Sequence, residues 1–112
     1  MAALHKTMAQ GRWAEMSFAE RMGNIGSEVS RARGADERGN MERRNASLDR
    51  ALELVDLTMA PENNSRRTEL GRLRGALIRI RGQAKAEISL SSIEQYLLPF
   101  GVLARKSIYR PN

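Results

Sequence analysis

Proton-transfer and covalent catalysis need a tunable acid or base, an activated nucleophile or a metal, held in a fixed constellation. The chain of 112 residues has one histidine, His5, and no cysteine, so neither a Ser-His nor a Cys-His pair is available. His5 stands in an N-terminal stretch without periodicity and reads as an exposed terminal residue. Carboxylates are plentiful, but no Glu-x-x-His pair occurs, and the i, i+4 sets Asp49/Glu53 and Glu20/Asn24/Glu28 lack histidine partners. Glycines form neither Gly-x-Gly-x-x-Gly nor a Gly-Lys-Ser/Thr ending. These observations point away from an enzyme: no catalytic residue, no metal ligand set, no cofactor and no small-molecule substrate is evident. One polar cluster, Asn24, Glu28 and Arg31, shares a helical face and could form a buried hydrogen-bond network; it reads as an interhelical structural clasp or, in the sharper version, as an active site.

The second kind of chemistry is electrostatic. The formal charge is +6, and between Arg66 and Lys85 seven cations stand against Glu69 alone, so this segment holds the whole imbalance. Arg67, Arg74 and Arg81 repeat every seven residues, as do Arg72 and Arg79 on a second flank, which places them on a helix surface and not on a tail. Arginine favours bidentate contact with phosphate or carboxylate. Two readings stay open. In one, these arginines pair with an acidic stripe on the preceding helix (Glu42, Asp49, Glu53 and Asp56). In the other, Arg67, Arg72, Arg74, Arg79, Arg81 and Lys85 contact a nucleic-acid backbone, led by phosphate and tolerant of sequence. Only Trp13, Phe18, Tyr96, Phe100 and Tyr109 are aromatic, too few for stacking platforms.

The elements that must position these groups are helices. Residues 1–13 read as a loose lead-in. Ser17 followed by Glu20 is a capping box, with Met16 as hydrophobic staple, and Phe18, Met22, Ile25 and Val29 form an apolar stripe stepping by four, three and four. A parallel stripe of small residues, Ala19, Gly23, Gly26 and Ser30, implies a close crossing, either with a neighbouring helix of the bundle or with a second subunit. Gly34, followed by the polar stretch 36–40 with Gly39, ends this helix. The second helix runs from about Asn40 to Met59, burying Met41, Leu48, Leu52, Val55 and Met59 with Ala51 and Leu54 alongside, and Pro61 stops it. The third begins near Ser65 or Thr68 and buries Leu70, Leu73, Leu77, Ile80 and Ala84; Gly71 and Gly75 suggest a further close crossing. The fourth opens at Ser91 or Ser92, where Ser91 and Glu94 form a second capping box with Leu90 as staple. It buries Ile93, Leu97, Phe100 and Leu103, with a kink at Pro99 and with Arg105 and Lys106 in the last turn.

Four amphipathic segments with short polar breaks predict an all-α fold, an antiparallel up-and-down four-helix bundle in a single domain spanning 1–112. A three-helix alternative, with the third helix continuous into the fourth, stays open because only Gly82 and Ser89 separate them. The run Asn24-Ile25-Gly26-Ser27-Glu28-Val29-Ser30-Arg31-Ala32, together with Arg50 to Leu54, Asp56-Leu57-Thr58 and Tyr96-Leu97, resembles a family of small uncharacterised prokaryotic helical-bundle proteins. The resemblance implies a helical bundle and carries no activity with it; the chain departs from the pattern between Gly75 and Ser89.

No segment approaches the ~20 apolar residues of a membrane span, and an absence of cysteine suits a reducing compartment, so the expectation is a cytoplasmic protein without membrane contact. The leading functional expectation is a non-enzymatic assembly or adaptor module, homo-oligomeric, with nucleic-acid binding through the third helix as the alternative.

Overall fold

The structure, a computed structural model, describes residues 11–84 and 87–108, with side chains given for 11–84 and 89–106. In chain order it contains a single-turn helix, α1 (Arg12–Glu15), and four long helices: α2 (Phe18–Glu37), α3 (Met41–Met59), α4 (Asn64–Arg81) and α5 (Glu87–Ile108). No strand occurs among the described residues. His5 and Lys85 lie outside them.

α2 begins as its sequence dictates. The Ser17 hydroxyl accepts from the Glu20 amide at 3.1 Å, and the Ser17 amide donates to the Glu20 carboxylate at 2.9 Å, closing the reciprocal capping box. Met22, Ile25 and Val29 are fully buried, followed by Ala32 and Ala35. Gly34 does not end the helix, which runs one turn further to Glu37. The stop comes from Gly39, whose φ of 72° is readily available only to glycine. Its amide donates to the Asp36 carbonyl at 3.1 Å and the Asn40 amide donates to the Ala35 carbonyl at 2.9 Å, the paired bonds of a Schellman ending.

Asn40 then caps α3, its side chain accepting from the Arg43 amide at 3.1 Å. The most deeply buried positions of α3 are Arg44, Ser47, Leu48, Ala51, Leu54, Val55 and Thr58. The inward face is therefore turned away from Met41, Leu52 and Met59, which are only partly buried. Leu54, expected at the margin, is central. α4 buries Leu70, Leu73, Leu77 and Ile80 in the expected three-and-four rhythm, whereas Ala84 falls beyond the helix and is exposed.

The third and fourth predicted helices are separate, divided after Gly82. α5 starts at Glu87 and continues through Pro99 without interruption. Ser91 is thus an interior helical residue and not a cap, and its expected partner Glu94 instead bonds Arg33 on α2 at 2.8 Å. Leu90 and Leu97 are core residues, and Ala104 fills the next inward position.

α2 packs against both α3 and α5, and α3 against α4. The cross-links run in opposite directions along each pair: Glu28 meets Arg50 and Asp36 meets Arg44, Asp49 meets Arg81 and Asp56 meets Arg74. This is the antiparallel up-and-down bundle. Where α2 crosses α5, a Cβ on Gly23 would lie 3.2 Å from the Gly101 Cα, and one on Gly26 would lie 3.1 Å from the Leu97 Cβ. The two glycines let the backbones approach within the bundle, which accounts for a helix-interior cost of about 1 kcal/mol each. Gly71 and Gly75 serve no such crossing; their nearest neighbours are the Met59 Cε at 4.0 Å and the Arg79 Nη1 at 3.6 Å.

The end of the lead-in is not loose. Trp13 is 2% exposed and belongs to the core, and Arg21 of α2 donates to the Trp13 carbonyl at 3.2 Å and the Ala14 carbonyl at 3.1 Å, fastening α1 across the start of the bundle.

Candidate assembly face and basic helix

α5 is apolar on two sides. Its inner side supplies Leu90, Ile93, Leu97 and Phe100 to the core. Its outer side carries Leu98, 61% exposed, Val102, 37%, and Leu103, 57%. Leu103 was expected inside, because Phe100 to Leu103 is a step of three. The helix continues inward instead from Leu97 to Ala104, seven residues on, and this rotates Leu103 outward. Leu98, Pro99, Val102, Leu103 and the stem of Lys106 together line one shallow apolar depression of about 550 Å³. Single exposed apolar residues are ordinary; here Leu98, Val102 and Leu103 stand exposed within six positions of one helix.

The basic helix is α4. Arg81 grips Asp49 with two bonds, 2.6 and 3.0 Å, and Arg74 bonds Asp56 at 2.7 Å. The Arg81 hydrogen bond, reinforced by its charge, holds the Asp49 carboxyl below its ordinary range against the opposing effect of partial burial. Arg66 pairs with Glu62 at 3.3 Å and lies 4.2 Å over the Phe18 ring. Such exposed pairs are each worth about 0–1 kcal/mol. Arg67, Arg72 and Arg79 are exposed and make no ion pair among the described residues. The stripe of candidate phosphate contacts is thereby divided: Arg74 and Arg81 face α3, and Arg67, Arg72 and Arg79 face solvent.

On the other edge of α4 the Tyr96 hydroxyl of α5 donates to the Glu69 carboxylate. Partial burial first, and the bond to that carboxylate second, push the tyrosine hydroxyl above its ordinary value. Tyr96 also meets the Phe100 ring edge-on at 5.9 Å between centroids, and Phe100 meets Phe18 in the same way at 6.0 Å.

The polar trio of α2 does not converge. Glu28 is buried and joins Arg31 at 3.2 Å and Arg50 of α3 at 3.2 Å. Asn24 is exposed and bonds the Glu20 carbonyl of its own helix at 2.8 Å. The interhelical clasp is therefore Glu28–Arg50 with Arg31 attached, and no cleft gathers all three residues. Of the small-residue stripe, Gly23 and Gly26 are engaged against α5, Ala19 is half-buried and Ser30 is exposed.

A group that sequence reasoning missed is Arg44, 1% exposed. Its guanidinium bonds the Asp36 carboxylate at 3.2 Å and the carbonyls of Arg81 and Gln83 at 3.2 and 2.8 Å. One side chain of α3 thus links the end of α2 to the last carbonyl of α4 and to the Gln83 carbonyl just beyond it. Among the described residues no group of three or more His, Cys, Asp and Glu could hold a metal ion, and no helix is long and apolar enough to cross a membrane.

No protein-family model, no curated protein and no solved structure matches this chain.

Proposed function

We propose that this protein is a non-enzymatic assembly or adaptor module of the cytoplasm that self-associates through the outer face of α5. The observation that carries this reading is the apolar outer side of a helix whose inner side already fills its share of the core. A helix apolar on both sides is ordinarily covered on both. A second copy fits this strip because it carries no charge: at a net charge of +6 two copies repel over much of their surface, and the stretch from Leu98 to Leu103 is where they can meet without bringing cations together. Isologous antiparallel pairing of two α5 helices sets Leu98 against Leu103 of the second copy, and Pro99 against Val102, so that one patch covers itself.

Light scattering during size exclusion tests this. The wild-type chain is expected as a dimer or higher closed oligomer, and Leu98→Glu/Leu103→Glu as a monomer with unchanged helix content. A monomeric wild type across the accessible concentration range, or an oligomer indifferent to both substitutions, refutes it. A second reading, nucleic-acid binding through α4, is favoured by one observation, the solvent-facing Arg67, Arg72 and Arg79. Its test is RNA and duplex DNA binding across a salt series, lost in Arg72→Gln/Arg79→Gln.

A further inference from the structure

Between α2 and α3, near the turn at Gly39, four arginines converge on a concavity of about 440 Å³: Arg31 and Arg38 from α2 and its cap, Arg43 and Arg50 from α3. Apart from the arginines its lining is small, made of Ser30, Gly34, Ala35, Ala46 and Ser47, so no bulky apolar side chain fills the recess. No carboxylate lines it.

The arginines form two sets. Glu28 lies buried beside the recess and uses one oxygen for Arg50 and the other for Arg31, each at 3.2 Å; Arg50 also donates to the Ser47 hydroxyl at 3.2 Å. Arg31 and Arg50 are thereby fixed while most of their N–H groups stay available, which lowers the ordering cost of binding. Arg38 and Arg43 make no ion pair among the described residues. Gly34 serves this end of the recess: a Cβ there would sit 3.2 Å from the Arg38 Nη1, and no atom of another helix comes within 4 Å. This glycine makes room for a folded-back guanidinium and not for a helix crossing.

The lining selects a ligand class. It offers guanidinium forks and the hydroxyls of Ser30 and Ser47 but no aromatic or large aliphatic surface, so it has nothing with which to hold an apolar body. Several cations around a recess of ligand size call for a compact, multiply charged ligand rich in acceptor oxygens, and the guanidinium fork matches phosphate oxygens. We propose that this cleft binds a linear oligophosphate of two or three phosphates, free or as the phosphate end of a nucleotide, with Arg38 and Arg43 clamping it over the Arg31–Glu28–Arg50 base.

Calorimetric titration of the full chain at low ionic strength, with sodium tripolyphosphate and with adenosine triphosphate, tests the site. One tripolyphosphate per chain is expected, weakening with added salt. Arg38→Gln/Arg43→Gln should lose about tenfold in affinity per guanidinium removed, while the equally charge-depleted Arg72→Gln/Arg79→Gln on α4 should change by less than about threefold, as expected of contacts remote from the ligand. Ala46→Glu, which places a carboxylate in the recess, should abolish binding and serves if the arginine variant fails to fold. Equal affinity for both ligands identifies the phosphates alone as the recognised group; tighter nucleotide binding, lost in the same variants, assigns the cleft to the phosphate end of a nucleotide. Absence of binding at low salt, more than one equivalent bound per chain, or equal losses in the two double variants overturns the proposal. Because the cleft lies away from the outer face of α5, the Leu98→Glu/Leu103→Glu chain should bind tripolyphosphate as the wild type does.

Discussion

Replacing Arg44 by methionine keeps most of the buried stem and removes only the guanidinium. That group is 1% exposed and bonds Asp36, the Asn45 side chain and the carbonyls of Arg81 and Gln83. Breaking a buried ion pair from one side costs about 3–5 kcal/mol, because the desolvation of what remains is no longer offset. A domain of this size is stable by about 5–15 kcal/mol, so the substitution removes about a fifth of the total at the least. At about 4 °C per kcal/mol for this length, Tm should fall by about 12–20 °C. Urea denaturation followed by circular dichroism measures it directly, and the amides near the C-terminus of α4 should exchange faster as their carbonyl anchor is lost. Arg44→Lys, which keeps the charge but not the fork, should fall between wild type and methionine. A loss below about 1 kcal/mol for Arg44→Met would show that burying the cation cancels its own bonds, and the clamp reasoning would fail.

Gly23→Ala should destabilise by about 1–2 kcal/mol despite alanine's better helix propensity, since the added methyl meets the Gly101 backbone at 3.2 Å and α5 must shift to admit it. Gly71→Ala, exposed and with only the Met59 Cε at 4.0 Å, should stabilise by about 0.5–1 kcal/mol in the same melt. The Asp49 carboxyl is held below its ordinary range by Arg81, so its stabilisation is present above the unfolded-state pKa and lost as pH falls through the lower folded value. Asp49→Asn should therefore be less stable than wild type by up to about 1 kcal/mol at neutral pH, and denaturant titrations should show that gap narrowing as pH falls below the unfolded-state value of about 3.9. A gap that does not narrow on acidification would contradict the assignment.

What the sequence made legible was local. Ser17 and Glu20 are three residues apart and cap α2 as their types require, and Leu70, Leu73, Leu77 and Ile80 print one helical face whatever surrounds them. Ser91 and Glu94 carry the same local pattern without the same outcome, because α5 has already begun at Glu87 and Arg33, far away in sequence, takes the Glu94 carboxylate. The outward turn of Leu103 follows from Ala104 meeting the core, which a step of three from Phe100 does not reveal. Arg44 was invisible for a related reason: an arginine looks like surface until topology brings Asp36, Arg81 and Gln83 around it. The α2–α3 cleft did leave a signal. Arg31 and Arg38 are seven apart on one side of Gly39, and Arg43 and Arg50 are seven apart on the other, but over residues 1–56 nine basic residues stand against nine acidic ones, so the net charge of that half hides them.

The seating of Trp13 beneath α1 has an optical consequence. It is the only indole in the chain, and at 2% exposure its emission should be blue-shifted in the native state. That emission reports one event, the docking of a single turn that Arg21 fastens to α2. Far-UV ellipticity, by contrast, is dominated by the four long helices. If the fluorescence transition precedes the ellipticity transition in denaturant, α1 detaches as a sub-global unit before the bundle opens; if the two coincide, the first turn and the bundle unfold as one cooperative body.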